Sequence, residues 1–206
     1  MEPAFAHLKQ TTECPFAKGS RVHSAPDWDC NLAFDANADR HGEALRDFVV
    51  QIEPQRLHGF VSKVGCNQPS PSFAKVAEQF CRYLHALAKT DESCAACMSQ
   101  DVLSRDWQFT YAGTRCFLNV FASCYPDVHS KRCDVTDGFY VFFQPERSFD
   151  FCGRRPLDAF KHEIRRRFAD AGMPYDGALI DDGYEALIYM FPEEPFGAPV
   201  AWWRAA

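Results

Sequence analysis

Hydrophobic and polar positions repeat with two periods along this chain. Between residues 72 and 89, Phe73, Val76, Phe80, Leu84 and Leu87 recur every three or four residues, which predicts a helix with one apolar face. Ser72 stands where an N-cap belongs, since its hydroxyl can accept from an orphan amide of the first turn. Residues 39–50 repeat the pattern through Ala44, Leu45, Phe48 and Val49, with Asp39 where the macrodipole favours negative charge. Leu157, Phe160, Ile164 and Phe168 mark a third amphipathic helix, ending near Gly172. The other period is two. Trp107, Phe109 and Tyr111 alternate, Ala112-Gly113-Thr114 turns the chain, and the run from Cys116 to Phe121 follows, which predicts a β-hairpin. The continuous apolar run 139–143 predicts a strand buried on both faces. Residues 57–64 and 186–191 read as two further strands. Segment 1–38, with prolines at 3, 15 and 26 and little periodicity, is expected to be irregular and to drape over the rest or line a pocket. Helices interspersed with hairpin-type strands predict an α+β fold, a single domain over 1–206 with a mostly antiparallel sheet covered by amphipathic helices.

Composition narrows the classes. A chain of 206 residues that is 47% hydrophobic, with 19 Phe, can bury a real core, so global disorder is excluded. Lys plus Arg is 22 against 28 Asp plus Glu, a net charge of −6, which argues against non-specific nucleic-acid binding and against docking on anionic membranes. No stretch is long and apolar enough for a membrane span, and no basic segment followed by an apolar run opens the chain. The expectation is a cytoplasmic protein whose ten cysteines are mostly thiols, with Cys81 and Cys116 acting as small buried hydrophobes.

Candidate chemistry gathers in a few places. His129 lies in a loop between two strands, followed by Lys131 and Arg132. Such an imidazole can bind a metal or haem iron or move protons, and the two cations can pair with carboxylates of a cofactor; the plain alternative is an ordinary loop histidine. Cys14 opens a turn near Lys18 and Arg21, where a thiolate would be favoured and where cysteine could ligate haem; the alternative is an anchoring small side chain. Cys94-Ala95-Ala96-Cys97 is a lone CxxC without the further ligands of a zinc site, and reads as a structural loop. Arg165-Arg166-Arg167 reads as the solvated face of its helix, Asp181-Asp182 as a surface turn, and His85 as a satisfied core histidine. His58 is less easily set aside, because its neighbour Gly59 allows close approach by another group. Phosphate loops, GxSxG elbows and HExxH motifs are missing from the sequence.

Four segments together resemble the YqcI/YcgG family, which includes haem-dependent N-hydroxylases of guanidine and amino-acid substrates. They are Cys14-Pro15-Phe16-Ala17; Phe109 to Gly113 running into Phe117 and Phe121; Tyr125-Pro126-Asp127-Val128-His129-Ser130-Lys131-Arg132 followed by Phe143 to Phe149; and Ile164 to Phe168 with Gly172, Glu185-Ala186-Leu187 and Trp202-Trp203. Two features depart from the family pattern. Members often carry a histidine where this chain has Ala88, and several have a Ser-Ser-Arg type loop in place of His129 to Arg132.

The resemblance implies a haem b enzyme that inserts oxygen at nitrogen of an amino acid or of a guanidine- or amine-bearing metabolite. Its partners would be O2 or peroxide and an electron donor. Carried over by position, it implies His129 as the axial ligand to iron, Arg132 and Lys131 at the haem propionates, and the stretch from Cys14 to Arg21 over cofactor or substrate. The Gln144-Pro145-Glu146 turn would brace the loop of His129, and Asp127 or Glu146 would hold a cationic substrate. The other readings are a haem-binding or gas-sensing module without turnover, and a metal-independent ligand-binding protein whose cysteines and histidines are structural.

Overall fold

Five strands form one mixed sheet in the order β1-β2-β5-β4-β3. They are β1 (Val22–Ser24), β2 (Gly59–Gly65), β3 (Thr110–Tyr111), β4 (Thr114–Ala122) and β5 (Gly138–Pro145). This computed structural model describes residues 2–66, 69–152, 158–173 and 183–205. Leu157 and Asp181-Asp182, and the side chain of Phe160, lie outside the described residues. Among the described residues the helices are α1 (Pro3–Thr11), α2 (Phe34–Gln55), α3 (Phe73–Ala88), α4 (Glu92–Met98), α5 (Asp158–Asp170) and α6 (Glu185–Tyr189), with 3-10 turns at Glu146–Cys152 and Trp202–Arg204. The α+β class and the mostly antiparallel sheet are as expected. One pairing differs: β1 runs parallel to β2, with α2 as the crossover that a parallel pair needs.

Period two gives the sheet two different faces. On one, Phe60 and Val64 of β2, Leu118 and Val120 of β4, and Phe139, Val141 and Phe143 of β5 join the main core under α2, α3 and α4. On the other, Val61, Phe121, Tyr140 and Phe142 meet Phe5 of α1 in a second, smaller cluster. The 139–143 run is thus buried on both sides, because one face meets the helical core and the other meets α1. Glu2 secures α1 to this back face, accepting hydrogen bonds from Lys63 Nζ (3.2 Å) and Tyr140 OH (2.9 Å).

Local signals act as expected at several ends. Ser72 Oγ accepts from Lys75 N at 3.3 Å and caps α3. Ala112 and Gly113 both have positive φ, 46° and 68°, which is the twist a tight β3–β4 hairpin demands. Gly172 (φ 74°) closes α5: its N–H donates to Ala169 O and the next N–H, of Met173, donates to Phe168 O.

Some expectations need correction. Segment 1–38 is not irregular throughout: it contains α1, β1 and the first turn of α2, whose short apolar faces carry too few residues to show a period. The run 186–191 is not a strand; Glu185–Tyr189 is helix α6. Tyr189 OH accepts from Phe109 N and donates to Cys116 O, both at 3.0 Å, so tertiary bonds decide an apolar run too short for its period to be read. Cys94 and Cys97 sit on α4 rather than in a loop; both thiols are buried, and burial raises their pKa values. His85 is exposed, whereas the satisfied core histidine is His41, bonded to Tyr83 OH and Pro26 O at 3.0 Å each.

Candidate functional site

Between the back face of the sheet and the elements that cross it lies a cavity of about 390 Å3, within the usual range for small-molecule sites. Its sheet wall comes from alternate residues of two paired strands: Phe117, Asn119 and Phe121 of β4, and Phe142 and Gln144 of β5. Gly59 lets the Phe142 ring lie against the backbone, since a Cβ there would stand 2.2 Å from Phe142 Cζ. Helix α1 adds Phe5, Leu8 and Lys9, and the turn that follows adds Cys14 and Phe16. From the other side come Ile164, Arg165 and Phe168 of α5, and Glu185 and Ile188 of α6. The wall is mainly aromatic and aliphatic, with a few converging polar groups.

The most unusual of these groups is Lys131. It is 4% exposed, and Nζ donates to the side-chain oxygen of Asn119. Nζ also lies 4.7 Å from the Phe191 ring centroid and 5.2 Å from that of Phe121. Burial pushes the amine down to about 7, while Cys14 acts to raise it. Beside it, Ser130 also lines the cavity, while its Oγ is buried without a hydrogen-bond partner.

The loop 123–131 fixes this pair in place. It returns to the end of β4, where Ala122 N donates to Lys131 O (3.2 Å) and Cys133 N to Ala122 O (3.1 Å). Tyr125 is buried, and its OH donates to Phe191 O at 3.0 Å. The His129 ring stacks on Tyr125 at 4.3 Å and 9°. Arg132 ties the loop from outside, donating to the carbonyls of Ser123 and Tyr125 and pairing with Asp134 (3.0 Å) and Asp127 (3.5 Å).

Of the residues singled out from the sequence, Cys14, Lys131, His58 and Glu146 line the cavity. His129, Arg132, Arg21 and Asp127 are not among its lining residues. Arg21 instead donates to Gln55 O, and the Asp127 side chain is 91% exposed. Arg165 corrects the reading of the basic run as a solvated face: Arg166 and Arg167 pair with Glu163, but Arg165 reaches the cavity. Sequence reasoning passed over Lys9, Asn119, Ser130 and Glu185. Asn119 alone left a signal, a polar residue inside the apolar run 116–121.

The fold is thus α+β with an amphipathic cavity behind its sheet. More narrowly, residues 9–187 match the model of the YqcI/YcgG family, and the chain belongs to that family. The searches of curated proteins and of solved structures return no match.

The family resemblance implies haem, and the ring nitrogens test which residue suits its iron. His129 Nδ1 accepts from Lys131 N at 3.0 Å, so the other nitrogen carries the proton. Burial and then Lys131 push this imidazole down to about 4. The axial role carried over to His129 does not fit an imidazole whose Nδ1 is engaged, whose Nε2 carries the proton and which is not among the residues lining the cavity. His58 Nδ1 likewise accepts from Arg21 N at 3.1 Å, which places its proton on Nε2. Cys14 fits better: it lines the cavity with a ligand atom that needs no change of tautomer. Among the described residues no group of three or more His, Cys, Asp or Glu could hold a bare metal ion. A haem, which needs only one protein ligand, is compatible with that.

Proposed function

We propose that this chain is a haem-dependent oxygenase that hydroxylates a nitrogen of an amino-acid, guanidine or amine metabolite, with haem b held in the cavity behind the sheet. The observation that carries the reading is the cavity wall: aromatic faces from β4 and β5, cations at Lys9, Lys131 and Arg165, and the Cys14 thiol together, in a member of this family. Haem is a flat apolar plate with two anionic propionates, and such a wall offers it ring contacts and cationic partners.

When bound, haem supplies oxygen activation at iron, and thiolate ligation favours O–O cleavage. The chain's own residues do the rest. Cys14 would hold the iron. Phe117, Phe121, Phe142 and Phe168 would exclude water from the plate's surroundings. Glu146 and Glu185 put two carboxylates on the wall, which can accept hydrogen bonds from a cationic guanidine or amine and fix its nitrogen. The roles carried over to His129 and Arg132 become positioning roles, since these residues set the loop from which Lys131 enters the cavity.

The test is a hemin titration of the purified full chain. Saturable binding with a Soret band is expected, and Cys14→Ser should shift that band. His129→Ala should keep the band position once folded protein is selected. Protein that stays colourless with added hemin would overturn the reading and favour a metal-independent ligand-binding protein, for which the engaged nitrogens of His58 and His129 already speak.

A further inference from the structure

The surface around His58 is cationic in a chain whose net charge is −6. Arg21 and His58 hold each other: His58 N donates to Arg21 O at 2.8 Å, and Arg21 N donates to His58 Nδ1 at 3.1 Å. Arg56 and His58 share the Phe151 ring, with the guanidinium carbon 5.2 Å from its centroid and the imidazole nearly perpendicular to it at 6.1 Å. Lys9 of α1 lines the same cavity as His58. Burial first, and then Arg21, Arg56 and Lys9, push this imidazole below its ordinary value. Among the described residues no acid forms an ion pair with any of these groups. Elsewhere on the surface cations are paired, as Lys75 is with Glu78, and Arg82 and Lys89 are with Asp35.

We infer that this face docks an acidic protein that delivers electrons one at a time, with Arg21 and Arg56 meeting its carboxylates and Lys9 and His58 joining the contact to the cavity wall. Both arginines are exposed. Arg21 Nη1 donates to Gln55 O at 3.1 Å and Arg56 Nη2 to Phe151 O at 3.2 Å, which fixes each head while leaving most of its N–H groups for a partner. Charge complementarity selects the partner. The net charge of −6 repels an acidic protein at long range, so a cationic face decides the orientation in which the two can meet. A nucleic acid needs an extended cationic stripe, which a few groups around one imidazole do not provide. The inference rests on the proposed N-hydroxylation for the partner's purpose, and it commits to O2 as the oxidant. One oxygen atom enters the N–H bond to give N–OH and the other leaves as water, a balance that takes up two electrons and two protons. The reductant is a carrier protein of the ferredoxin or flavodoxin class, each molecule losing one electron.

The probe is a strongly acidic plant-type ferredoxin, titrated into the full chain by calorimetry at low and at physiological salt, without hemin and with it. Saturable binding at low salt is expected, weakened about tenfold or more by physiological salt, and by a similar factor when Arg21→Gln and Arg56→Gln are combined. Lys89→Gln, which changes a cation paired with Asp35 at the opposite end of α2, should leave it unchanged. In hemin-loaded protein the double variant should slow reduction by reduced ferredoxin about tenfold and leave reduction by dithionite as it was. The salt dependence of the native chain decides the matter even if the double variant fails to fold. Ferredoxin that does not bind, binds without regard to salt, or binds native chain and folded double variant equally overturns the inference. Arginine-dependent binding of a DNA oligonucleotide or of inorganic pyrophosphate, with no binding of ferredoxin, overturns it in favour of a nucleic acid or a small anion. Arginine-dependent binding with arginine-independent reduction overturns the electron route. A chain that takes up no hemin yet binds ferredoxin in the expected way would sink the haem reading and leave the docking face in place.

Discussion

Replacing Lys131 by Met should make the protein more stable. The amine titrates at about 7 in the folded chain and near 10.5 when unfolded. The folded state therefore holds fewer protons than the unfolded state between those values, and protonation opposes folding. The opposition is absent above the unfolded value, grows as pH falls, and is complete below about 7. A displacement of about 3.5 units corresponds to roughly 5 kcal/mol as an upper limit, at about 1.4 kcal/mol per unit. Met has a similar unbranched shape and carries no charge, so it removes that term while filling the space beside Phe121 and Phe191. Against the gain stands the hydrogen bond to Asn119, worth about 1 kcal/mol, and the lost ring contacts of the cation, worth about 1 kcal/mol more. A net gain of about 2–3 kcal/mol at pH 7 follows, or roughly 5–10 °C in Tm for a chain of this size. Denaturant and thermal melts of both proteins from pH 6 to 10 measure it. The gap between them should be widest at and below pH 7 and close towards pH 10. A gap that ignores pH, or a native chain more stable than the variant at pH 7, would refute the assignment of Lys131 as a buried, strained cation.

Other consequences are smaller or simpler. His41 and His129, each pushed down to about 4 by burial, stabilise the fold fully above pH 6.5 and lose that contribution as pH falls to 4. Each is worth up to about 3 kcal/mol, so thermal melts should show a steep loss across this window, and a flat profile would contradict the burial of both rings. Arg132→Ala removes bonds to the Ser123 and Tyr125 carbonyls and should cost about 2–3 kcal/mol, with faster amide exchange in residues 123–131 as the local readout. Ser72→Ala removes the cap of α3 and should cost about 1 kcal/mol by denaturant unfolding, without changing hemin affinity.

Much of the fold was legible because its signals are local. The stripe of α3 and its Ser72 cap, the Ala112-Gly113 turn, the 139–143 run and the Gly172 stop each depend on residues within a few positions of one another. What could not be read depends on distant partners. α1 is held by Glu2 on Lys63 and Tyr140, and α6 by Tyr189 reaching Phe109 and Cys116. The site divides in the same way. The loop of His129 was legible as important, but an imidazole's role depends on what its two nitrogens meet. Nδ1 meets a backbone amide two residues on, and the ring meets that of Phe191, 62 residues away in sequence. Arg165 was misread because one helix carries two faces: it shares the side of Ile164 and Phe168, while Arg166 turns to Glu163 and Asp170.

The two sides of the sheet also treat polar burial differently, and the difference bears on the proposed site. In the main core, His41 is buried with partners on both nitrogens, a neutral arrangement that fixes α2 against Pro26 and α3. On the back face, β4 interrupts its apolar run with Asn119, opposite Phe142, and the chain returns to lay Lys131 on that amide. An apolar pair at these two positions would pack at least as well and would spare the fold a buried amine. A stability cost held beside a cavity supports the proposed site, since a scaffold alone does not require it.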